Sequence, residues 1–330
     1  MRKNLSFGLI LVLLLAGASA SEAAWIWTPE SGKWFNPKKA SKDTPEDQFA
    51  WGMSFYEQRK WDRAIEEFEK VPAVFPTSRF AAEAVYYTGM AWEAKEDLSK
   101  AGDAYQKLVD RYPYSDRIKD AVQREFTIAN EFASGTKIKI WGIPALSGQD
   151  KALEIYKHIV KNAPFGTYGA EAQFAIGEVY KKQGDFEEAQ KAYQSVADDY
   201  PQSELVSKAR YQIAYVSMET SKRSQSSEQY AERAIEEFQG FKNSFPEDKQ
   251  ALEAEESIKA LRAKKAMTLF QTAEFYEKQK KYSSAKVYYS EVFTKFPETP
   301  VAPEARKRID KIIQGEGGQP KASKPWYKPW

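Results

Sequence analysis

The chain has 330 residues, no cysteine, one histidine, and 49 basic against 47 acidic side chains, for a formal net charge of +2. The lack of cysteine excludes disulfides, thiol catalysis and thiolate metal sites, and a single histidine cannot give a zinc ion two imidazoles. The balanced charge lacks the basic footprint of a nucleic-acid-binding protein. We therefore expect no cofactor, no metal and no nucleic-acid partner.

The N-terminus predicts a secretory signal peptide. Arg2 and Lys3 precede an apolar run at 9–16, and small residues follow in AGASASEAA. The run is shorter than the roughly 20 residues that a membrane-spanning helix needs. The pattern therefore predicts export with cleavage near Ala20 or Ala23, the alternative being a segment retained as an anchor.

Residues 21–45 predict an extended linker rather than a helix, because Pro, Gly and Ser interrupt them. The same stretch carries four large apolar side chains, at Trp25, Trp27, Trp34 and Phe35. A linker that only separates two segments would not need so many large apolar side chains, so we expect these side chains to lie against the first repeats.

From residue 46 onward one pattern recurs six times: an alanine, an aromatic residue four positions later, and a proline twelve positions after the alanine. The six closing prolines are Pro76, Pro113, Pro164, Pro201, Pro246 and Pro297. Three copies also carry a glycine twelve positions before the alanine, at Gly52, Gly89 and Gly177. Small residues allow two helices to approach closely, and proline ends the second helix because it lacks an N–H.

This spacing is typical of tetratricopeptide (TPR) repeats, each of which folds into two antiparallel helices of about 34 residues in all. The sequence therefore predicts an all-α TPR helical-repeat solenoid of about six helix pairs. The predicted divisions are a signal peptide, a Trp-rich linker, the repeats and a disordered tail, at 1–20, 21–45, 46–313 and 314–330.

Three stretches lengthen the regular spacing between prolines. In repeat 3 the apolar, alternating TKIKIWGIP (136–144) predicts a short extended segment that covers its own core or meets a partner. In repeat 5 the polar SKRSQSSEQ (221–229) predicts a solvated loop. Residues 250–280 hold no Pro or Gly and predict a lengthened helix. After Ile313 the Gly and Pro breaks predict disorder, and the Trp, Tyr and Lys residues of this tail form either a docking peptide or a tail without a role.

The sequence carries no catalytic constellation, so we expect a protein without enzymatic activity. It has no G-x-S-x-G, Walker or G-x-G-x-x-G motif. The one histidine, His158, falls on the predicted second helix of repeat 3, where a packed or surface position is expected.

The concave face of the repeats is the remaining candidate for function. The first helix of each pair lines this face, and aromatic and Met residues recur there at equivalent positions. These residues are Phe49, Met53, Tyr86, Met90 and Phe174. Flat rings and flexible Met side chains suit an extended apolar peptide, so the five residues are candidates for binding a client peptide. The alternative is that they pack against the neighbouring helix.

Three stretches of the repeat region carry a family resemblance. They are the opening WDRAIEEFEKVPAVFPTSRFAAEA, an insertion in the third pair ending in GQDKALEIYKHIVKNAP, and a long helix running into AEFYEKQKKYSSA. Together, over roughly residues 46–313, they resemble the BamD family. The resemblance implies a non-enzymatic scaffold in the assembly and insertion of β-barrel proteins into the outer membrane. It implies two kinds of protein partner, a BamA-like barrel-insertion component and unfolded outer-membrane proteins, through which the chain meets the membrane indirectly.

By the same resemblance, the N-terminal repeats are expected to meet the client and the C-terminal repeats the complex. The candidate partner-binding residues are Tyr276, Tyr282 and Tyr288. BamD proteins are usually lipoproteins with five repeats, whereas this sequence has no lipid-accepting Cys and six copies of the pattern. The expected location is therefore the periplasm or the periplasmic face of the outer membrane. The competing class is a periplasmic TPR adaptor for peptidoglycan or cell-division machinery, similar to CpoB.

Overall fold

The computed structural model describes residues 26–28, 33–35, 40–140, 143–223 and 227–317. By their internal contacts these residues form two compact units, the first ending at Glu96 and the second beginning at Asp97. The predicted signal peptide and residues 318–330 of the predicted tail lie outside the described residues.

The first unit holds a short antiparallel hairpin and three helices. Its elements are β1 (Ile26–Thr28), β2 (Lys33–Phe35), α1 (Pro45–Glu57), α2 (Trp61–Val74) and α3 (Arg79–Ala94). The hairpin pairs Trp27 with Trp34, so this part of the predicted linker is extended, as expected. Its side chains lie outside the described residues, and their packing against the first repeats stays a prediction. Helix α2 packs against both α1 and α3.

The second unit is a run of helices in which each packs against the next in the chain. Its helices are α4 (Leu98–Arg111), α5 (Ile118–Ser134), α6 (Gln149–Asn162), α7 (Gly169–Gln183), α8 (Phe186–Asp199), α9 (Leu205–Arg223), α10 (Ser227–Ser244), α11 (Ala251–Lys278), α12 (Tyr282–Lys295) and α13 (Ala302–Gly317). Five consecutive pairs pack within the units, α1 with α2, α5 with α6, α7 with α8, α9 with α10, and α11 with α12, which confirms the predicted TPR helical-repeat fold. Helices α3 and α4 are the remaining pair in chain order, and they belong to different units.

The repeat prolines end the second helix of every described pair. Helix α2 ends at Val74, two residues before Pro76, and the other five second helices end at the same distance from their prolines. A residue before proline is pushed out of the helical conformation, and Phe75 accordingly has a ψ of 58°. Its N–H still donates to the Val71 carbonyl at 2.8 Å, so the last turn closes before the chain turns away.

The recurring residues form the core. All six pattern alanines and all six pattern aromatics are at most 1% exposed. A Cβ added at Gly177 would lie 2.5 Å from Cε1 of Tyr193, and one added at Gly52 would lie 2.6 Å from the Phe68 ring. Helix α7 therefore approaches α8 this closely only because position 177 has no side chain.

Gly177→Ala and Gly240→Ala are expected to change stability in opposite directions. Both residues lie within helices, where alanine is favoured over glycine by about 1 kcal/mol. No atom of the described residues lies within 4 Å of a Cβ added at Gly240, so this variant should gain stability. At Gly177 the clash with Tyr193 should outweigh the gain, because overpacking costs about 1–3 kcal/mol. Urea denaturation measures both, and equal shifts would contradict the close approach of α7 and α8.

Two of the three lengthened stretches are confirmed and one is wrong. In repeat 3 the apolar stretch forms an antiparallel hairpin of β3 (Ile138–Ile140) and β4 (Ile143–Leu146). The lengthened helix is α11, which has 28 residues. The loop predicted at 221–229 is helical at both ends, since α9 runs to Arg223 and α10 begins at Ser227, and residues 224–226 lie outside the described residues. Ser221 is 2% exposed, whereas the other described residues of this stretch are exposed, as predicted.

The C-terminal boundary of the repeats also lies later than predicted. Helix α13 continues to Gly317, although the tail was expected to begin at residue 314. Ala302, Ala305 and Ile312 join the core formed by α11 and α12, so α13 covers the end of the last repeat.

Candidate protein-binding groove

The first helices of repeats 3, 4 and 5 line a groove of about 720 Å³. Most of its side chains come from α5, α7 and α9. Its larger apolar and aromatic residues are Phe126, Tyr156, Phe174, Val179, Phe186, Leu205 and Tyr215. Its charged residues are Glu171, Glu178, Lys181, Lys182, Glu219 and Arg223. This α5–α7–α9 groove is therefore amphipathic, with aromatic rings and both signs of charge within reach of one ligand.

The aromatic wall of this groove is held in place by rings behind it. Phe174, one of the predicted client residues, lines the groove and lies 5.3 Å from the Tyr193 ring, centroid to centroid. Phe126 stacks on Tyr168 at 4.9 Å and lies 5.9 Å from Tyr156. Rings fixed in this way lose little side-chain entropy when a ligand packs on them.

Glu178 and Lys181 form the polar centre of the groove. The Lys181 Nζ donates to Glu178 Oε1 at 2.7 Å and to Gln212 Oε1 at 3.0 Å. The Tyr193 hydroxyl donates to Glu178 Oε1 at 2.5 Å. Burial, followed by the negative charge of Glu178, raises the pKa of Tyr193, so its hydroxyl keeps its proton and remains a donor. The network holds both charged groups in fixed positions.

The other predicted client residues lie in the first unit. The Phe49 ring is half-buried and lies 5.6 Å from the Phe68 ring. Met53 and Met90 are also half-buried. Tyr86 is only 5% exposed, so it is a core residue, and packing describes its position better than the expected surface contact does. The client-binding role of these residues stays a prediction.

The predicted partner-binding tyrosines lie on α11 and α12. Tyr276 and Tyr288 stack with centroids 5.5 Å apart and planes 6° from parallel, and Tyr282 is 37% exposed. Sequence reasoning missed Phe275 and Val287, which are 57% and 64% exposed. Neither belongs to the recurring pattern, and their exposure depends on which helix faces the neighbouring repeats cover. The role of the three tyrosines stays a prediction.

A polar cluster centred on His158 joins α4, α5 and α6. His158 Nδ1 lies 2.8 Å from Glu125 Oε2, and its Nε2 lies 3.2 Å from Asp110 Oδ1. Of the packed or surface position expected for His158, the structure shows the packed one, since its side chain is 14% exposed. Glu125 is fully buried, and within the described structure its Oε1 has no hydrogen-bond partner. No sequence pattern marks these carboxylates, which lie 33 and 48 residues from the histidine.

This cluster predicts that stability falls as the pH rises through neutrality. Burial disfavours the imidazolium, but the hydrogen bonds and charges of Glu125 and Asp110 outweigh burial and raise the pKa of His158 above its usual 6.5. For Glu125 the direction of the burial effect is reversed. Burial disfavours its carboxylate and raises its pKa more than the hydrogen bond to His158 lowers it. For both groups the folded state holds a proton that the unfolded chain releases at a lower pH. For His158 the stabilisation is therefore complete below the unfolded pKa and is lost as the pH rises through the folded pKa.

His158→Gln should remove this part of the pH dependence. Each unit of difference between the folded and unfolded pKa corresponds to about 1.4 kcal/mol. Urea denaturation between pH 5.5 and 9 measures the slope, and NMR titration follows the one histidine directly, without an assignment problem. A histidine pKa in the folded protein at or below that of the urea-unfolded chain would contradict the cluster.

Among the residues that the structure describes, no group of three or more His, Asp or Glu has the arrangement of a metal site. Within the same residues, no helix combines the length and the apolar composition needed to cross a membrane.

Two family models match the chain. The model of YfiO, described as an outer membrane lipoprotein, matches residues 147–319, which is more than half of the chain and includes α6 to α13. A tetratricopeptide-repeat model matches residues 49–116. No curated protein sequence gives a significant match.

Several solved structures are distantly similar. YrrB, described as a TPR protein with an unusual peptide-binding site, is 16% identical, with 67% of this chain and 94% of that chain covered and a TM-score of 0.34. MamA from Desulfovibrio magneticus RS-1 is 14% identical, with 61% and 98% covered and a TM-score of 0.30. A TPR protein from Parabacteroides merdae ATCC 43184 is 11% identical, with 82% and 98% covered and a TM-score of 0.32. The fold assignment accordingly rests on the helices themselves and on the family models.

Proposed function

The chain belongs to the YfiO family of outer membrane lipoproteins, and we propose that this BamD-like TPR protein is a scaffold in the assembly and insertion of β-barrel proteins into the outer membrane. In this role it binds a BamA-like barrel-insertion component and unfolded barrel proteins, and it catalyses no reaction. The observation that carries the proposal is the amphipathic α5–α7–α9 groove.

The chemistry of this groove suits a barrel precursor. Side chains of an extended chain point alternately to opposite sides, and strands of membrane barrels alternate apolar with polar residues. In the groove, the rings of Phe126 and Phe174 suit the apolar side chains of the precursor. The charged groups of Glu178, Lys181 and Arg223 suit its polar side chains. One bound segment therefore places its apolar side chains against the rings and its polar side chains against the charged groups.

A second set of contacts is assigned to the C-terminal helices. We propose that the stacked Tyr276 and Tyr288, with the exposed Tyr282, Phe275 and Val287, meet the BamA-like component. Exposed apolar side chains gathered at one end of a repeat protein are typical of a protein interface. In the first unit, Phe49, Met53 and Met90 remain candidates for client contact, whereas Tyr86 supports them from the core.

The proposed location is the periplasm or the periplasmic face of the outer membrane, reached by export with the N-terminal segment 1–20 removed. Contact with the membrane is indirect, through the partners. The repeats are proposed to extend over residues 46–317, between the Trp-rich linker and the C-terminal tail.

Affinity purification of the tagged full-length protein from detergent-solubilised envelopes tests this function. We expect a BamA-like protein and outer-membrane barrel proteins to co-purify with it. A Phe275→Ala/Val287→Ala variant should lose the BamA-like protein and keep its helical content, since both side chains are exposed. Co-purification of peptidoglycan or division proteins instead would favour a CpoB-like adaptor and contradict the proposal.

A further inference from the structure

A second groove, of about 710 Å³, lies between α8 and α10 with α9 as its floor. It lies between the second helices of repeats 4 and 5, whereas the α5–α7–α9 groove lies between first helices. Aromatic rings of Tyr230, Phe241 and Phe245 line the α10 side. Phe186 borders both grooves.

The charged residues of this α8–α10 groove leave a cation without a balancing acid. The Arg233 Nε donates to Glu237 Oε1 at 2.9 Å, so this cation already has a carboxylate partner in the wall. The second oxygen of Glu237 is buried and has no hydrogen-bond partner within the described structure. Arg210 donates to the amide oxygen of Gln194 at 3.3 Å, and no carboxylate of the described residues forms an ion pair with it. Arg210 is exposed and lines the groove.

Lys191 adds a second cation to the same rim. Its partner is Glu188 at 2.6 Å, and the two side chains are 69% and 49% exposed. An ion pair this exposed is weak, so the lysine is free to exchange its partner for another carboxylate. Glu187 is the remaining acid of the lining. The rim therefore favours an anionic ligand.

Gly240 lies on the α10 side of the groove and has no side chain, so the groove is wider at this position. A glycine within a helix is disfavoured relative to alanine, so a packing or functional reason is expected for it. Among the described residues no atom lies within 4 Å of a Cβ added there, so packing inside the chain does not require glycine. The missing side chain instead leaves open space beside α10, where a ligand can pass.

We propose that the α8–α10 groove binds an acidic segment of a partner protein that also carries aromatic or leucine side chains. Its carboxylates pair with Arg210 and Lys191, and its apolar side chains lie against the rings of α10. Its backbone passes over Gly240. The chain's own residues 318–330 hold three lysines and no acid, so the charge of the rim argues against this tail as the occupant. The site lies beyond the proposed client groove and gives the scaffold a separate docking surface.

Fluorescence anisotropy with the full chain tests the proposal. The probe is a labelled ten-residue peptide in which Asp alternates with Phe or Leu, and its partner peptide carries Lys in place of Asp. We expect the acidic peptide to bind at least tenfold more tightly than the basic one. Arg210→Glu should weaken it at least tenfold, whereas Arg306→Glu, the same change at an exposed residue of α13, should alter affinity less than twofold.

Gly240 supplies a second test that does not depend on charge. Gly240→Trp fills the wall and should abolish binding of the acidic peptide, whereas Gly240→Ala should change affinity only slightly. If circular dichroism shows that the Trp variant is unfolded, the Arg210→Glu comparison decides. Ala175→Trp fills the α5–α7–α9 groove and should leave binding of the acidic peptide unchanged. The two grooves are therefore tested independently of each other. Equal binding of the acidic and basic peptides, or tighter binding of a peptide of residues 318–330, would overturn the proposal.

Discussion

Ala189→Trp should lower the free energy of unfolding of the second unit by more than about 3 kcal/mol, because added core methylenes alone cost about 1–3 kcal/mol. Ala189 is 0% exposed and shares a core cluster with Tyr193 and Ile213. An indole at this position cannot fit without separating α8 from its neighbours. Since domains are stable by only about 5–15 kcal/mol, the loss is a large fraction of the total.

Urea denaturation followed by circular dichroism measures this effect. The matched control is Ala260→Trp, the same substitution at an exposed residue of α11 in the same unit. The control should stay within about 0.5 kcal/mol of the wild type, as surface substitutions usually do. If both variants denatured at the wild-type midpoint, the helix register that places Ala189 in the core would be wrong.

Ala175→Trp should weaken the binding of barrel-derived peptides at least tenfold while the protein stays folded. Ala175 is half-buried on α7 and lines the α5–α7–α9 groove. The added ring occupies the space between the aromatic wall and the polar centre, so it excludes the ligand without removing a core contact. A tenfold loss corresponds to about 1.4 kcal/mol, less than a single strong hot spot contributes to an interface.

Two further variants are compared with Ala175→Trp. Ala260→Trp adds the same ring outside the groove and should bind the peptides as the wild type does. Phe174→Ala removes a wall ring and should also weaken binding, although its contact with the Tyr193 ring means that it costs stability as well. Unchanged peptide affinity in a folded Ala175→Trp protein would place the client site elsewhere, with the Phe49 region of the first unit as the next candidate.

The repeat fold could be predicted from the sequence because its signal is local. Alanine, aromatic and proline recur at fixed spacing, and each position has one mechanical role that the structure confirms, as Ala189 and Tyr193 show by their burial. The loop expected at 221–229 is wrong for the described residues, because polar composition does not distinguish an exposed loop from the exposed ends of two helices. Ser221 is polar and yet 2% exposed.

The candidate sites could be predicted only in part. Phe174 was identified from its repeat position, but the same argument selected Tyr86, which the structure buries. Whether such a ring faces a groove or the core depends on how three helices pack, and sequence spacing does not encode that. Glu125 meets His158 across 33 residues, and this pairing likewise exists only in the folded chain.

Photo-cross-linking from position 174 tests the central claim most directly. A photoactivatable phenylalanine analogue replaces Phe174 in the full chain, which is then mixed with an unfolded outer-membrane barrel protein and irradiated. We predict an adduct with the unfolded barrel protein, none with the same protein already folded in detergent, and strong reduction of the adduct by Ala175→Trp. The absence of an adduct, or an equal yield with an unfolded protein that lacks barrel strands, would contradict the assignment of this chain as a scaffold for barrel assembly.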